Sequence, residues 1–95
     1  MRSKGKISRA ASALLRLGSA VRVRRRTLRM TQAELGALAG VGLAFLYQLE
    51  KGKPTVRIDK VLAVFEVLGL ELHVRDGKER VSVDAPLLET TEAES

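Results

Sequence analysis

Covalent chemistry has little to work with in this chain. It has no cysteine and a single histidine, His73, so there is no thiolate nucleophile, disulfide framework or thiolate zinc site. His73 has no ligand cluster beside it, so no metal site is read. No Gly-rich phosphate loop of the G-x-G-x-x-G kind occurs either. These absences point away from an enzyme and away from any cofactor. What the sequence supplies instead is fixed positive charge. Residues 1–75 hold 15 Lys/Arg against 5 Asp/Glu, while residues 76–95 hold 2 against 6. The formal net charge of +6 therefore conceals a basic body and an acidic end. A basic body suits a polyanion such as nucleic acid, and less often an anionic membrane surface. Within that body one short stretch sets Leu43, Ala44, Tyr47 and Gln48 on one side at helical spacing, against Leu46 and Leu49 on the other. A helix carrying those four side chains outward can enter a major groove, which is wide enough for one helix.

The elements that must present this stretch are legible from caps and periodicity. At 95 residues the chain has room for one domain with a modest core, which dimerisation would supplement. The longest uncharged run, residues 35–49, is broken by three Gly and too short to span a bilayer. Arg2, Lys4, Lys6 and Arg9 are not followed by an apolar segment, so no secretory signal is read. Residues 1–11 read as a basic flexible N-terminus. From Ser12 an apolar stripe of Leu14, Leu17, Val21 and Leu28 predicts a first helix, with Arg22, Arg25, Arg26 and Arg29 on another face. Gly18 within it marks either the helix start or a place where a neighbour packs closely.

Thr31 and Glu34 form a capping box, with Met30 and Leu35 as the accompanying hydrophobic staple. This predicts a second helix over Gln32–Ala39, ended by Gly40. A third helix is predicted from about Gly42 to Lys51, with Phe45, Leu46 and Leu49 inward, closed by Gly52 and kept closed by Pro54. Leu35, Leu38 and Val41 are expected to pack these two helices together. Thr55 is expected to cap a fourth helix, whose apolar repeat is Ile58, Val61, Leu62, Phe65 and Leu68, stopped by Gly69. Two short helices joined by a tight Gly-containing turn make a helix-turn-helix. The period then changes to two, with Leu70, Leu72 and Val74 alternating with Glu71, His73 and Arg75, which predicts a short strand over 70–75. Asp76 and Gly77 are turn residues, and Val81 and Val83 could give a second strand. A lone strand is unstable, so it is expected to pair with its copy across a two-fold homodimer; the competing reading is a local hairpin to 81–83, and the two are compatible. Beyond Pro86 the chain is acidic and aperiodic, and residues 76–95 read as a flexible tail. That tail is expected to be solvated. Sharper alternatives are competition with nucleic acid for the basic face and docking of Pro86, Leu87 and Leu88 on a partner.

The run MTQAELGALAGVGLAFLYQLEKGKPT resembles the XRE family of helix-turn-helix regulators, which includes the lambdoid phage repressors. Its spacing is TQ-x-EL, a Gly-Val turn, LE-x-GK, then a further helix. The longer run from Gly40 to Leu72 looks like the HipB-type antitoxins, in which a short strand follows the last helix and the partner is a HipA-like kinase toxin. The resemblance implies a mainly α, lambda-repressor-like bundle of four to five helices, with a C-terminal β-strand that pairs across a dimer. It implies a cytoplasmic, nucleoid-associated bacterial repressor of a palindromic double-stranded DNA operator, and an antitoxin that autoregulates a HipBA-like operon. Carried over by position, Leu43, Ala44, Tyr47 and Gln48 face bases, while Gln32, Lys51, Lys53 and Arg29 meet phosphate. Arg25 pairs with Glu50 as a structural ion pair, and Leu70, Leu72 and Val74 form the dimerisation strand. Relatives often carry polar residues where this chain has Gly42 and Leu43. This departure from the family pattern leaves readout expected from Gln48 on adenine and from Leu43 or Ala44 on thymine methyls. The competing expectations are a stand-alone regulator without a toxin, and a protein-interaction module that no longer binds DNA.

Overall fold

Four helices follow one another in the computed structural model, which describes residues 9–74 and 76–77: α1 Arg9–Thr27, α2 Gln32–Ala39, α3 Leu43–Lys51 and α4 Ile58–Leu68. The long α1 lies along α3 and touches α4, while α2 is sandwiched against both α3 and α4. One core serves all four: Val21 from α1, Leu35 from α2, Leu46 and Leu49 from α3, and Val61, Val64, Phe65 and Leu68 from α4. Leu17, Met30, Ala39, Val41, Phe45, Val56 and Leu70 close its edges.

The start of α2 follows from its cap. Glu34 N–H donates to Thr31 Oγ1 at 3.0 Å, and Thr31 N–H donates back to Glu34 Oε1 at 2.9 Å. Helices α2, α3 and α4 end at Gly40, Gly52 and Gly69, all in the left-handed region with φ of 72°, 83° and 71°. Helix α1 begins by Arg9, ahead of the expected start at Ser12, because Ala10, Ala11 and Ala13 continue the helix at no steric cost. Gly18 is the place of close approach. A Cβ there would collide with the Leu49 carbonyl oxygen and lie 3.1 Å from the Glu50 carbonyl oxygen, so the backbone of α1 rests directly on the last turn of α3.

Three packing expectations are corrected. Leu38 does not join α2 to α3; it is 66 % exposed, and Ala39 and the buried Gly36 take that place. The chain returns over Gly36, whose added Cβ would lie 2.9 Å from the Val41 carbonyl oxygen, and this rotates the buried arc of α2 away from Leu38. In α4 the buried stripe is Val61, Val64, Phe65 and Leu68, whereas Ile58 and Leu62 lie on its exposed flank. At about 100° per residue the two register choices differ by one position per turn, and Val64 decides for the observed one. Leu28 is likewise exposed, because α1 ends at Thr27 before the stripe reaches it.

Thr55 does not cap α4. Arg57 is the N-cap and offers no side-chain cap, its guanidinium instead pairing with Asp59 at 2.7 Å. Val56 packs on the core, which holds the chain extended until it is past that contact. No strand forms among the described residues, and 70–74 run without secondary structure. Leu70 leans on the core, while Leu72 and Val74 are exposed. A strand exists only through ladder hydrogen bonds, and the described residues supply no partner strand to this segment. The expectations for Arg75, for residues 81–83, for the acidic tail and for residues 1–8 lie outside the described residues.

Gly18→Ala tests the α1–α3 contact. Helix propensity alone favours alanine by about 1 kcal/mol, yet the obstacle here is backbone carbonyl oxygen and cannot swing aside. Urea unfolding should show a net loss of about 1–3 kcal/mol. A gain in stability would mean that the two helices do not meet there.

Candidate nucleic-acid interface

The turn between α2 and α3 sets the direction of everything that α3 presents. Gly40 N–H and Val41 N–H both return to the Gly36 carbonyl, so α2 is left by a tight left-handed turn. Gly42 then serves as the N-cap of α3 without a side-chain bond. With Leu46 and Leu49 fully buried, the opposite face carries Leu43 (55 % exposed), Ala44, Tyr47 (54 % exposed), Gln48 and Lys51. The structure brings together on one helix face the four side chains that the sequence places outward. Lys51 Nζ stands 5.4 Å from the centre of the Tyr47 ring, a cation–π contact that steadies both.

A buried ion pair fixes α3 against the rest. Arg25 Nε donates to Glu50 Oε2 at 2.7 Å and its Nη2 to Oε1 at 2.9 Å, a bidentate pair. The remaining arm, Nη1, donates to the Met30 carbonyl at 2.8 Å. The side chains are 10 % and 4 % exposed. The hydrogen bonds from Arg25 to Glu50 raise the arginine's pKa, burial opposes that, and the Glu50 charge adds to the rise. The pair is therefore permanently charged on the arginine side, and each partner is needed to offset the other's desolvation.

Gln32, at the first position of α2, is tied into the same network: its Nε2 donates to Glu50 Oε1 at 3.0 Å. A primary amide has two hydrogens. Glu50 takes one, which holds the side chain at the N-terminal end of α2, where the helix dipole favours an anion. Arg29 is exposed and has φ of 60°, the single non-glycine with positive φ among the described residues. It occupies the left-handed slot that closes α1, where Met30 N–H bonds the Arg25 carbonyl at 3.1 Å, a slot usually filled by glycine. Lys53 follows Gly52 and donates from Nζ to Gln48 Oε1 at 3.3 Å. Lys51 and Lys53 thus offer charge at the C-terminal end of α3, Gln32 a donor at the start of α2, and Arg29 charge in the turn before it.

Two contacts at the site had no signal in the sequence. These are the Gln32–Glu50 bond and the Lys53–Gln48 bond, which depend on how side chains fall rather than on spacing. A third, Arg24 Nε donating to the Leu68 carbonyl at 2.8 Å, ties α1 to the C-terminal end of α4. His73 is exposed and bonds Glu71 at 2.6 Å. Among the described residues no cluster could hold a metal ion, and no helix is long and apolar enough to cross a membrane.

Residues 16–76 match the family model described as "Helix-turn-helix domain". A protein of Sinorhizobium fredii named "Uncharacterized HTH-type transcriptional regulator y4mF" is 44% identical over 64 residues, which is 67% of this chain and 84% of that protein. A solved structure titled "MDT Protein" superimposes with a TM-score of 0.63 at 21% identity, covering 79% of this chain and 100% of that one. At that identity the likeness is one of fold.

Arg29→Gly separates fold from interface. Relief of the left-handed strain should raise stability by about 1 kcal/mol in thermal unfolding. The same change should weaken binding to all duplex sequences alike and reduce the salt slope by about one unit. Unchanged binding would remove Arg29 from the interface.

Proposed function

The chain belongs to the helix-turn-helix family of transcriptional regulators, DNA-binding proteins and not enzymes, and on that premise we propose that it is a homodimeric repressor reading a palindromic operator with α3. The observation that carries the reading is the outward face of α3. Leu43, Ala44, Tyr47 and Gln48 stand clear of the core, with Lys51 and Lys53 at one end and the anchored Gln32 beside them. An apolar strip with a cationic rim complements a major groove, whose floor carries thymine methyls and whose walls are phosphate. In this reading Leu43, Ala44, Tyr47 and Gln48 meet bases, while Gln32, Arg29, Lys51 and Lys53 meet phosphates. The Arg25–Glu50 pair stays structural.

The dimer reading rests on the segment after α4. Leu72 and Val74, 46 % and 93 % exposed, are left uncovered by the described residues. Pairing of Leu70, Leu72 and Val74 with the same strand of a second copy would satisfy the backbone and bury those side chains. The functional unit then spans residues 12–75, between a basic lead and an acidic tail, and works in the cytoplasm on nucleoid DNA. Half-sites should lie about 34–36 Å apart, or a multiple of that. The antitoxin role draws on the resemblance of residues 40–72 to HipB-type proteins. It makes a HipA-like kinase, encoded alongside, the protein partner, and the shared operon the target of repression.

Two assays test this. Co-expression of the tagged chain with the proteins encoded beside it should recover a stoichiometric kinase-like partner with its toxicity suppressed. If nothing co-purifies while the chain still binds its own upstream DNA as a dimer, the antitoxin role falls and a stand-alone regulator remains. Selection from a randomised duplex library should return a palindrome whose binding weakens steeply with salt. Failure to enrich any sequence would leave the apolar α3 face as a protein-binding surface and overturn the repressor reading.

A further inference from the structure

The closing turn of α3 places Lys53 where it changes what Gln48 can read. Gly52 N–H donates to the Leu49 carbonyl at 3.0 Å and Lys53 N–H to the Gln48 carbonyl at 3.0 Å, so the chain curls back over the last turn of the helix. The Lys53 side chain then reaches the outward face, with Nζ donating to Gln48 Oε1. An ammonium can only donate, so chemistry assigns the amide atom that faces it as the oxygen. The amide NH2 is consequently turned away from Lys53. Together the two side chains display the two N–H groups of the amide and those the ammonium has left, while the shared oxygen is engaged between them.

That display differs from the one a lone glutamine offers. Glutamine alone suits adenine, whose major-groove edge has an acceptor at N7 and a donor at N6. Guanine has two acceptors, N7 and O6, and suits paired donors. A donor brought to the engaged oxygen of Gln48 would also meet the ammonium. Resting on the DNA-reading function above, we propose that Gln48 and Lys53 form one composite reader for guanine, with Lys53 as a specificity-determining residue and not only a phosphate contact. This replaces adenine as the base expected for Gln48.

The experiment measures dissociation constants at one salt concentration for the full chain, Gln48→Ala, Lys53→Met and the double variant. Lys53→Met keeps a long unbranched stem and removes the charge and the donors. The duplexes derive from the site selected out of a randomised library. They carry G·C, A·T or 7-deazaguanine at the position where Gln48→Ala abolishes preference. The full chain should favour G·C over A·T by about tenfold or more, and loss of guanine N7 should remove most of that. Lys53→Met should abolish the preference or shift it to A·T, leaving the double variant no less selective than Gln48→Ala alone. An equal loss on G·C and A·T duplexes in Lys53→Met would overturn the composite reader and return Lys53 to phosphate, as would a full chain that prefers A·T there. If no site is enriched at all, the DNA-reading function itself fails, and the composite reader with it.

Discussion

Arg25 and Glu50 lie 25 residues apart in the chain, yet their bidentate contact is the point through which three helices and one turn are joined. Arg25 belongs to α1 and Glu50 to α3. The Met30 carbonyl brings in the connection to α2, and Gln32 adds the first turn of α2 itself. A carboxylate this deeply buried needs several donors to offset its desolvation, and here it has two from Arg25 and one from Gln32. Loss of either charge would strand the other, which makes the arrangement all-or-none. Hydrophobic burial of Leu46 and Leu49 holds α3 to the core, but non-directional packing leaves its rotation loosely specified. The ion pair supplies the direction.

The consequences run outward from that contact. Gly18 lets the backbone of α1 settle on the Leu49 and Glu50 carbonyls, which shortens the distance Arg25 must span. With Leu46 and Leu49 buried, Leu43, Ala44, Tyr47 and Gln48 stand on the outward side of α3, while Glu50 at the flank of the buried face turns in to Arg25. Gln32 is positioned by the same carboxylate, so the side chain suited to an anion and the helix suited to bases share one anchor. Lys51 on Tyr47 and Lys53 on Gln48 then shape the exposed face by contacts within α3 and its closing turn.

Much of this was legible because local rules and tertiary needs agree. Thr31 with Glu34, and the stops at Gly40, Gly52 and Gly69, are short-range signals that nothing in the packing overrides. The outward set on α3 followed from its apolar periodicity. Where a residue's fate depended on how its element packs rather than on its own type, the reading failed. Leu38 is displaced from the core by the chain folding back over Gly36, and Ile58 and Leu62 lose to Val64 by a rotation of α4. Thr55 is a good cap by type, yet Val56 is drawn onto the core and moves the helix start to Arg57. The segment 70–74 alternates as a strand should, but alternation declares only that one face seeks cover. It says nothing of whether that cover comes from the same chain.

The most direct test of the central claim replaces the whole pair with apolar side chains, Arg25→Met together with Glu50→Leu. A matched apolar pair avoids a stranded buried charge, so the double variant should keep its helical content and unfold near the unmodified chain. Gln32 and α3 would lose their common anchor, and affinity for the selected duplex should fall about tenfold or more, about 1.4 kcal/mol or more. If the double variant folds and binds that duplex as tightly as the unmodified chain, the ion pair does not orient the reading helix. The account built on it would then be wrong.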